Sequence, residues 1–385
     1  MGKIKALHIA SFNGNIGDNA NHNGFRRRLV ETLNKEIDFH NLEMREFYQS
    51  WNLRDFNSNE FIDLCNKHDL IIIGGGNFFE LKWDYSYTGT TINISLETLD
   101  KITTPLLIHG VGCDIAKGAS ESSIIKFKVF LETVTKNDRV LVSVRNDGSY
   151  GTIQSLYGDL FDGKIYRVPD GAFFMQSKTF DFPEINEKYN SVGINVVSDM
   201  NEVRFSNQID DGVSYDEFIQ GLAIEMNSFM KRYPNYQLIF FPHIYSDLSA
   251  IYHLLENIED QYRRIRVVIA PCLTGEGSDE YIFGLYKECD FIMGMRFHSN
   301  VCAITQNIPT IGLSSYKKII DLYNEIGLAN RLVAVNKKGF EVKIREMMDQ
   351  TVTSLCDIKK DYSKVNEDIF KESLEFYDAV KKWFA

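Results

Sequence analysis

Two side chains one residue apart, Arg296 and His298, offer the most specific chemistry in this chain. A guanidinium grips carboxylates and phosphates through a planar fork, and an imidazole titrates near neutral pH. The pair therefore suits an anionic substrate whose reaction needs a proton moved. The apolar run Phe291-Ile292-Met293 predicts a buried strand, and Gly294 breaks it. Val301, Ile304 and Thr305 then predict a helix that stops before Asn307 and Pro309. Arg296 and His298 thus fall where a strand ends and a helix begins. Open α/β sheets hold ligands at that edge, and helix N-termini favour anions. The plainer alternatives are an ion pair for Arg296 and a structural histidine for His298.

Other turns repeat this placement. Lys5 to Phe12 predicts a strand, Asn13 to Asp18 a Gly/Asn/Asp turn, and Asn19 to Leu33 a helix. The turn lacks the lysine of a phosphate loop and the spacing of GxGxxG, so a plain tight turn and a binding loop both stay open, and Asp18 can equally be a helix cap. Asp69 to Ile73 ends in Gly74-Gly75-Gly76, which permits close approach of backbone or ligand. Leu106 to His109 ends in Gly110-Val111-Gly112, Val140 to Val144 in Arg145-Asn146-Asp147, and Ile165 to Val168 in Pro169-Asp170-Gly171. Such strands, alternating with helical patterns, predict an α/β fold with parallel sheets and loops gathered on one edge.

The 385-residue length favours two domains of roughly 150 to 200 residues each. The expected division is 1–180 and 190–385, with a polar linker over Gln176 to Tyr189. After it, Ser191 to Val197, Gln237 to Phe241 and Ile265 to Ile269 predict strands, Tyr215 to Tyr233 a long helix, and Phe340 to Met348 and Glu367 to Phe384 closing helices, the last expected to return to the first domain. A net charge of −11 argues against a broad nucleic-acid surface. The six cysteines show no CxxC spacing and read as buried free thiols. The N-terminus enters a strand without the apolar core of a signal peptide, and no run approaches about 18 apolar residues, so a cytoplasmic protein is expected.

Taken in order, these loops resemble the polysaccharide pyruvyl transferase family. The resemblance rests on Asn15-Ile16-Gly17-Asp18, Gly74 to Gly76, Gly110 to Gly112, Ser143 to Arg145, Pro169-Asp170, Arg296-Phe297-His298, Pro309 and Tyr316-Lys317-Lys318, and spans residues 7 to 320. Asn146 separates Arg145 from Asp147 where the family usually has the two adjacent, and Phe297 stands at a usually aliphatic position. The resemblance implies two Rossmann-like, doubly wound domains facing across a cleft, as in GT-B glycosyltransferases. It also implies transfer of pyruvate from phosphoenolpyruvate onto two hydroxyls of a sugar, forming a cyclic ketal and releasing phosphate, with neither metal nor other cofactor.

On that reading the N-terminal domain takes the acceptor and the C-terminal domain the donor. Arg296 and Arg145 would share one anion site, and His298 would act as the acid. Asp18 and Asp170 would orient or deprotonate sugar hydroxyls, although caps and turns use Asp just as well. Asn15, Gly17, Gly74, Gly75, Gly76, Gly110, Gly112, His243 and Lys317 complete the expected substrate contacts. For Arg145 the alternative is an ion pair with Asp147, and for Lys317 a solvated lysine. The partners expected are phosphoenolpyruvate and a sugar or lipid-linked oligosaccharide of exopolysaccharide synthesis, with peripheral membrane association allowed for and no oligomeric state implied. The runner-up is a GT-B glycosyltransferase using a nucleotide sugar, with Glu276 or Asp279 on the ribose; a third reading is a non-catalytic glycan-binding subunit. The loop Lys82 to Thr91, with Trp83, Tyr85 and Tyr87, has the aromatic content to stack on a sugar.

Overall fold

A computed structural model describes residues 3–206 and 209–385 and divides them into two units. The first holds the N-terminal residues up to Phe12, then Asn21–Gly171 and Phe370–Ala385; the second holds Asn13–Ala20 and Ala172–Ile369. The turn after the first strand and the end of the last helix therefore each belong to the unit they do not adjoin in sequence.

The first unit is built on six parallel strands: β1 (Ile4–Ala10), β2 (Ile37–Glu43), β3 (Leu70–Gly74), β5 (Leu106–Val111), β7 (Val140–Arg145) and β8 (Tyr166–Val168). They lie in the order β2-β1-β3-β5-β7-β8. Two short strands, β4 (Phe79–Glu80) and β6 (Cys113–Asp114), pair in parallel apart from that sheet. In the second unit β9 (Asn190–Asn195), β10 (Tyr236–Phe240), β11 (Val267–Ile269), β12 (Phe291–Gly294), β13 (Thr310–Ser314) and β14 (Leu332–Ala334) form another parallel sheet. Its order is β11-β10-β9-β12-β13-β14.

A parallel sheet is covered on both faces, so its central strands are buried along their length, as Leu70–Gly74 and Thr310–Ser314 show, the first of them wholly apolar. Each unit packs helices onto its sheet around its own core, one including Leu7, Ile71, Ile108 and Phe127, the other Val192, Leu238, Met293 and Phe218. The strand orders reverse direction at β1/β3 in one sheet and at β9/β12 in the other. Such switch points open a crevice beyond the strands' carboxyl ends, and both sheets are therefore Rossmann-like.

The sequence expectation misses β2, whose Asp38, His40 and Asn41 interrupt the apolar pattern because this edge strand is partly exposed. It also misses β14 and the two-residue strands, which are too short to carry a period. The closing helices join into one span, Phe340–Phe384, kinked at Ser354. Thr351, Thr353 and Ser354 are weak helix formers, which is why the sequence reads there as a gap. The end of this helix packs in the first unit, where Trp383 Nε1 donates to Asp138 O at 2.9 Å and the Phe376 ring lies 5.4 Å from that of His109. Among the described residues no helix is long and apolar enough to cross a membrane.

Candidate active site

In the second unit the β9/β12 switch point is tied shut by Asn195, the last residue of β9. Its side chain donates to Phe241 O at 2.9 Å and accepts from Arg296 N at 2.9 Å. Ser299 Oγ and Asn300 Nδ2 both donate to Arg296 O at 2.8 Å, so the turn from β12 into the helix Phe297–Ile304 is fixed from both sides. Arg296 follows the strand as the helix N-cap, which leaves His298 in the first turn.

The Arg296 guanidinium is not an open fork. Its Nε donates to Asp247 Oδ2 at 2.8 Å, Nη2 contacts Asp247 Oδ1, and Nη1 reaches Asp199 Oδ2 at 3.3 Å. Burial acts to lower its pKa but is outweighed by the hydrogen bonds and charge of Asp247 and then Asp199, so the net shift is upward. Asp247 is fully buried and also accepts from His243 N (2.9 Å) and Ile244 N (3.3 Å). Arg204 extends the network, with Nη2 3.4 Å from Asp199 Oδ1 and Nη1 donating to Ser315 Oγ at 3.3 Å.

His298 lies beside the first turn of the helix Ile16–Leu33, which starts three residues before the expected Asn19 and so holds Asp18 inside it and not at its cap. Its Nδ1 is 3.8 Å from Asp18 Oδ1, too long for a hydrogen bond but within ion-pair range. Asn15 shapes that turn by accepting from Gly17 N at 3.0 Å, which places Gly17 flat against the imidazole. A Cβ on Gly17 would lie 2.5 Å from His298 Cβ and Nδ1. Gly17 and Asp18 thus meet His298 within one unit, 280 positions away in sequence.

His243 is present but differently employed. It is buried, Nε2 lies 2.8 Å from Tyr286 Oη, and burial, then the charges of Arg296 and His298, hold its pKa well below the ordinary histidine value. Lys317 is exposed and pairs with Asp321 one helical turn on, at 2.5 Å. Asp279 sits buried in the first turn of the helix Ser278–Tyr286, while Glu276 precedes it.

The remaining expected residues gather at the strand ends of the first unit. Arg145 closes β7, and Nε donates to Asp147 Oδ2 at 2.8 Å while Nη1 donates to Asp170 Oδ2 at 3.2 Å. The ion pair with Asp147, weighed above as the plain alternative, is thus present. The inserted Asn146 accepts from Asp170 N at 2.9 Å, so the extra residue helps hold the second carboxylate. Asn21 Nδ2 donates to Asp170 Oδ2 at 2.6 Å, and Ser149 Oγ contacts Asp147 Oδ1. The glycine loops bind one another: Gly75 N donates to His109 O at 3.0 Å and Gly112 N to Gly76 O at 2.9 Å. Gly74 ends β3, and Gly110 adopts φ +54° where the β5/β7 register shifts. A Cβ on Gly112 would come within 2.7 Å of Asn77 Oδ1 and 3.1 Å of both Arg145 Nη2 and Asp147 Oδ2. Gly112 is there because polar tips converge on it.

Sequence reasoning missed Asp247, Asp199, Asn195 and Arg204. Asp247 stands four residues after His243 at the start of a helix, where an acid reads as a dipole partner, so only the fold reveals its pairing with a residue 49 positions away. Among the described residues no group of three or more His, Cys, Asp or Glu could hold a metal ion.

The protein-family model described as polysaccharide pyruvyl transferase matches residues 15–316. No curated protein sequence matches the chain significantly. Solved structures match at the level of fold. One, titled as a UDP-N-acetylglucosamine 2-epimerase from Listeria monocytogenes, has a TM-score of 0.53 at 12% identity, covering 95% of this chain and 91% of that one. A UDP-GlcNAc 2-epimerase from Methanocaldococcus jannaschii gives 0.51 at 14%, covering 90% and 92%. A glycosyltransferase from Rickettsia africae ESF-5 gives 0.51 at 11%, covering 99% of both. The fold is that of GT-B enzymes and related epimerases.

Proposed function

Because the chain belongs to the polysaccharide pyruvyl transferase family, we propose that it moves the pyruvyl group of phosphoenolpyruvate onto two hydroxyls of one sugar, in the cytoplasm, for a cell-surface polysaccharide or its lipid-linked precursor. The observation that carries the reading is the contact of His298 with Asp18 in a turn locked by Asn195, Ser299 and Asn300. A fixed imidazole beside a carboxylate is a placed proton carrier.

The chemistry balances with residues of this kind. Protonation at C3 of phosphoenolpyruvate by His298 turns the methylene into a methyl and leaves an oxocarbenium-like C2. One sugar oxygen bonds to C2, the C2–O bond to phosphate breaks, and the second sugar oxygen closes the ketal. Of the two hydroxyl protons, one replaces the proton given to C3 and the other leaves on hydrogen phosphate. Asp18 orients the imidazole. Arg296, already paired to Asp247 and Asp199, stiffens the turn that holds His298. The helix Phe297–Ile304 has no side-chain cap, as does Lys317–Glu325 after β13, and such helix N-termini favour phosphate and carboxylate. On this reading the second unit takes the donor, and the first, with Asp170 and Arg145 at its strand ends, takes the acceptor.

The test incubates the purified chain with phosphoenolpyruvate and galactosyl, glucosyl and N-acetylmannosaminyl acceptors, following phosphate release. Acceptor-dependent phosphate without added metal or nucleotide is the expected result. Consumption of a nucleotide sugar with nucleotide release, and no phosphate from phosphoenolpyruvate, would overturn it.

A further inference from the structure

The segment 82–93 of the first unit combines a rigid inner face with an exposed aromatic outer one. Ser86, Thr88 and Thr90 are buried, whereas Tyr85 and Tyr87 are 41% and 63% exposed. The inward hydroxyls form a ladder: Thr88 Oγ1 contacts Thr90 Oγ1 at 2.8 Å and donates to Ile92 O at 2.6 Å, and Ile92 N donates to Thr90 Oγ1 at 3.2 Å. Tyr87 N is held by Asn93 Oδ1 at 2.9 Å. Asp84 binds the N-terminus of the helix Glu121–Val134 through Ser120 and Ser123, and Lys126 Nζ donates to Asp84 O at 2.5 Å. Loops left exposed are ordinarily mobile, yet this one is tied at every second residue.

The loop is joined to the strand-end cluster described above. Asn77, whose Oδ1 points toward Gly112, donates to Glu80 Oε1 and to Asp114 Oδ2, each at 3.4 Å. Glu80 carries Lys117 at 2.5 Å and Lys82 at 3.1 Å, and the Lys82 ammonium lies 4.5 Å from the Trp83 ring centroid. Trp83 in turn meets Tyr85 edge to face at 5.7 Å. Contacts therefore run from Asn77, beside Gly112, through Glu80, Lys82 and Trp83 to Tyr85.

We propose that Tyr85 and Tyr87, presented by the Ser86-Thr88-Thr90 ladder, form a stacking subsite for a neutral pyranose ring of the acceptor glycan. The apolar C–H face of a sugar suits an aromatic ring, and its rim of hydroxyls suits paired lysines and carboxylates. The charges around the platform balance, Lys82, Lys117 and Lys126 against Glu80, Asp84 and Asp114. That balance favours a neutral sugar over a uronate, an anionic lipid surface or a nucleotide, each of which calls for a cationic excess. A tied loop also loses little freedom when the ring docks. The subsite rests on the acceptor reading of the first unit, deepens it, and adds the class of sugar.

Saturation-transfer NMR with the full chain tests it, using neutral oligosaccharides and their uronate analogues of the same linkage, alongside acceptor kinetics. Tyr85→Ala with Tyr87→Ala should weaken saturation transfer to the neutral ligands and raise acceptor KM about thirtyfold, the worth of roughly 1 kcal/mol of stacking lost at each ring. KM for phosphoenolpyruvate, kcat and the melting temperature should stay unchanged. Tyr85→Phe with Tyr87→Phe should behave as wild type, because the ring and not the hydroxyl is used. Equal binding of neutral and uronate ligands, no glycan binding by the wild type, or undiminished binding by the double alanine variant would each overturn the subsite. If phosphoenolpyruvate proves not to be the donor while the alanine variant still loses glycan binding, the subsite stands and the pyruvyl reading falls.

Discussion

Arg145 and Arg296 hold the same kind of place in two sheets, at or just past a strand's carboxyl end, and each guanidinium is shared between two carboxylates. Their surroundings differ. Both partners of Arg145 have fully buried side chains, and the neighbouring histidines of that unit, His8 and His109, are buried too. Arg296 has one fully buried partner, Asp247, and one partly open, Asp199 at 29% exposure, and beside it stands His298 with Asp18. The first arrangement is a closed polar floor. The second fixes a turn in order to present a titratable ring. On the proposed reading the chemistry lies with the imidazole and not with the charged pair that supports it.

The comparison breaks most visibly at His298. His298→Ala should lower turnover by about two to four orders of magnitude, the usual worth of a placed acid or base, with donor binding and melting temperature retained. A fall of less than tenfold would make the two arginine sites equivalent after all. Gly17→Ala probes the same ring indirectly. Its Cβ would meet His298 at 2.5 Å, so the imidazole must move, and displacement on the ångström scale costs up to about a hundredfold. Circular dichroism should show the fold intact, and steady-state kinetics should show kcat reduced more than KM.

Stability should separate the arginines in the opposite sense. Arg145→Ala strands two fully buried carboxylates and should cost about 3–5 kcal/mol in denaturant unfolding. Arg296→Ala should cost less, since Asp199 can rehydrate. Equal losses would contradict the distinction drawn between closed floor and supported turn.

The smallest effect concerns acid. Burial, then the charge of Arg26, keeps His8 well below the ordinary histidine value. Burial also takes His109 from 6.5 to about 3, against an upward pull from Asp170. Between pH 6.5 and those depressed values both rings bind more protons unfolded than folded. Stability present above pH 6.5 is therefore lost as pH falls, by up to about 1.4 kcal/mol per pH unit for each ring. His109 lies between Phe25 and Phe376, so His109→Phe should fit and flatten that slope in thermal melts between pH 7 and pH 5. An unchanged slope would remove His109 from the account.

Much of this was legible in sequence for a physical reason. Parallel strands buried on both faces announce themselves as apolar runs, and the turns at their carboxyl ends need Gly, Asn and Asp, so Gly74 to Gly76 and Gly110 to Gly112 mark strand ends in print. The meeting of Asp18 with His298 was not legible, because it brings together residues 280 positions apart, nor were the distant partners of the arginines, Asp170, Asp247 and Asp199, although the Arg145–Asp147 pair was. Asp247 looks like any acid at a helix start. The hydroxyl ladder of Ser86, Thr88 and Thr90 alternates like a strand but is a loop, and only its burial separates the inward hydroxyls from the outward rings.

The central claim, that pyruvyl transfer begins with a proton delivered to carbon, is tested most directly by running the reaction in heavy water and analysing the acceptor by mass spectrometry and proton NMR. The account predicts an acceptor heavier by one pyruvate less one water, with a single solvent deuterium in its new methyl group, and the same product formed about two to four orders of magnitude more slowly by His298→Ala. A ketal whose methyl carries no deuterium, or a sugar-extended acceptor with phosphoenolpyruvate left intact, would contradict it.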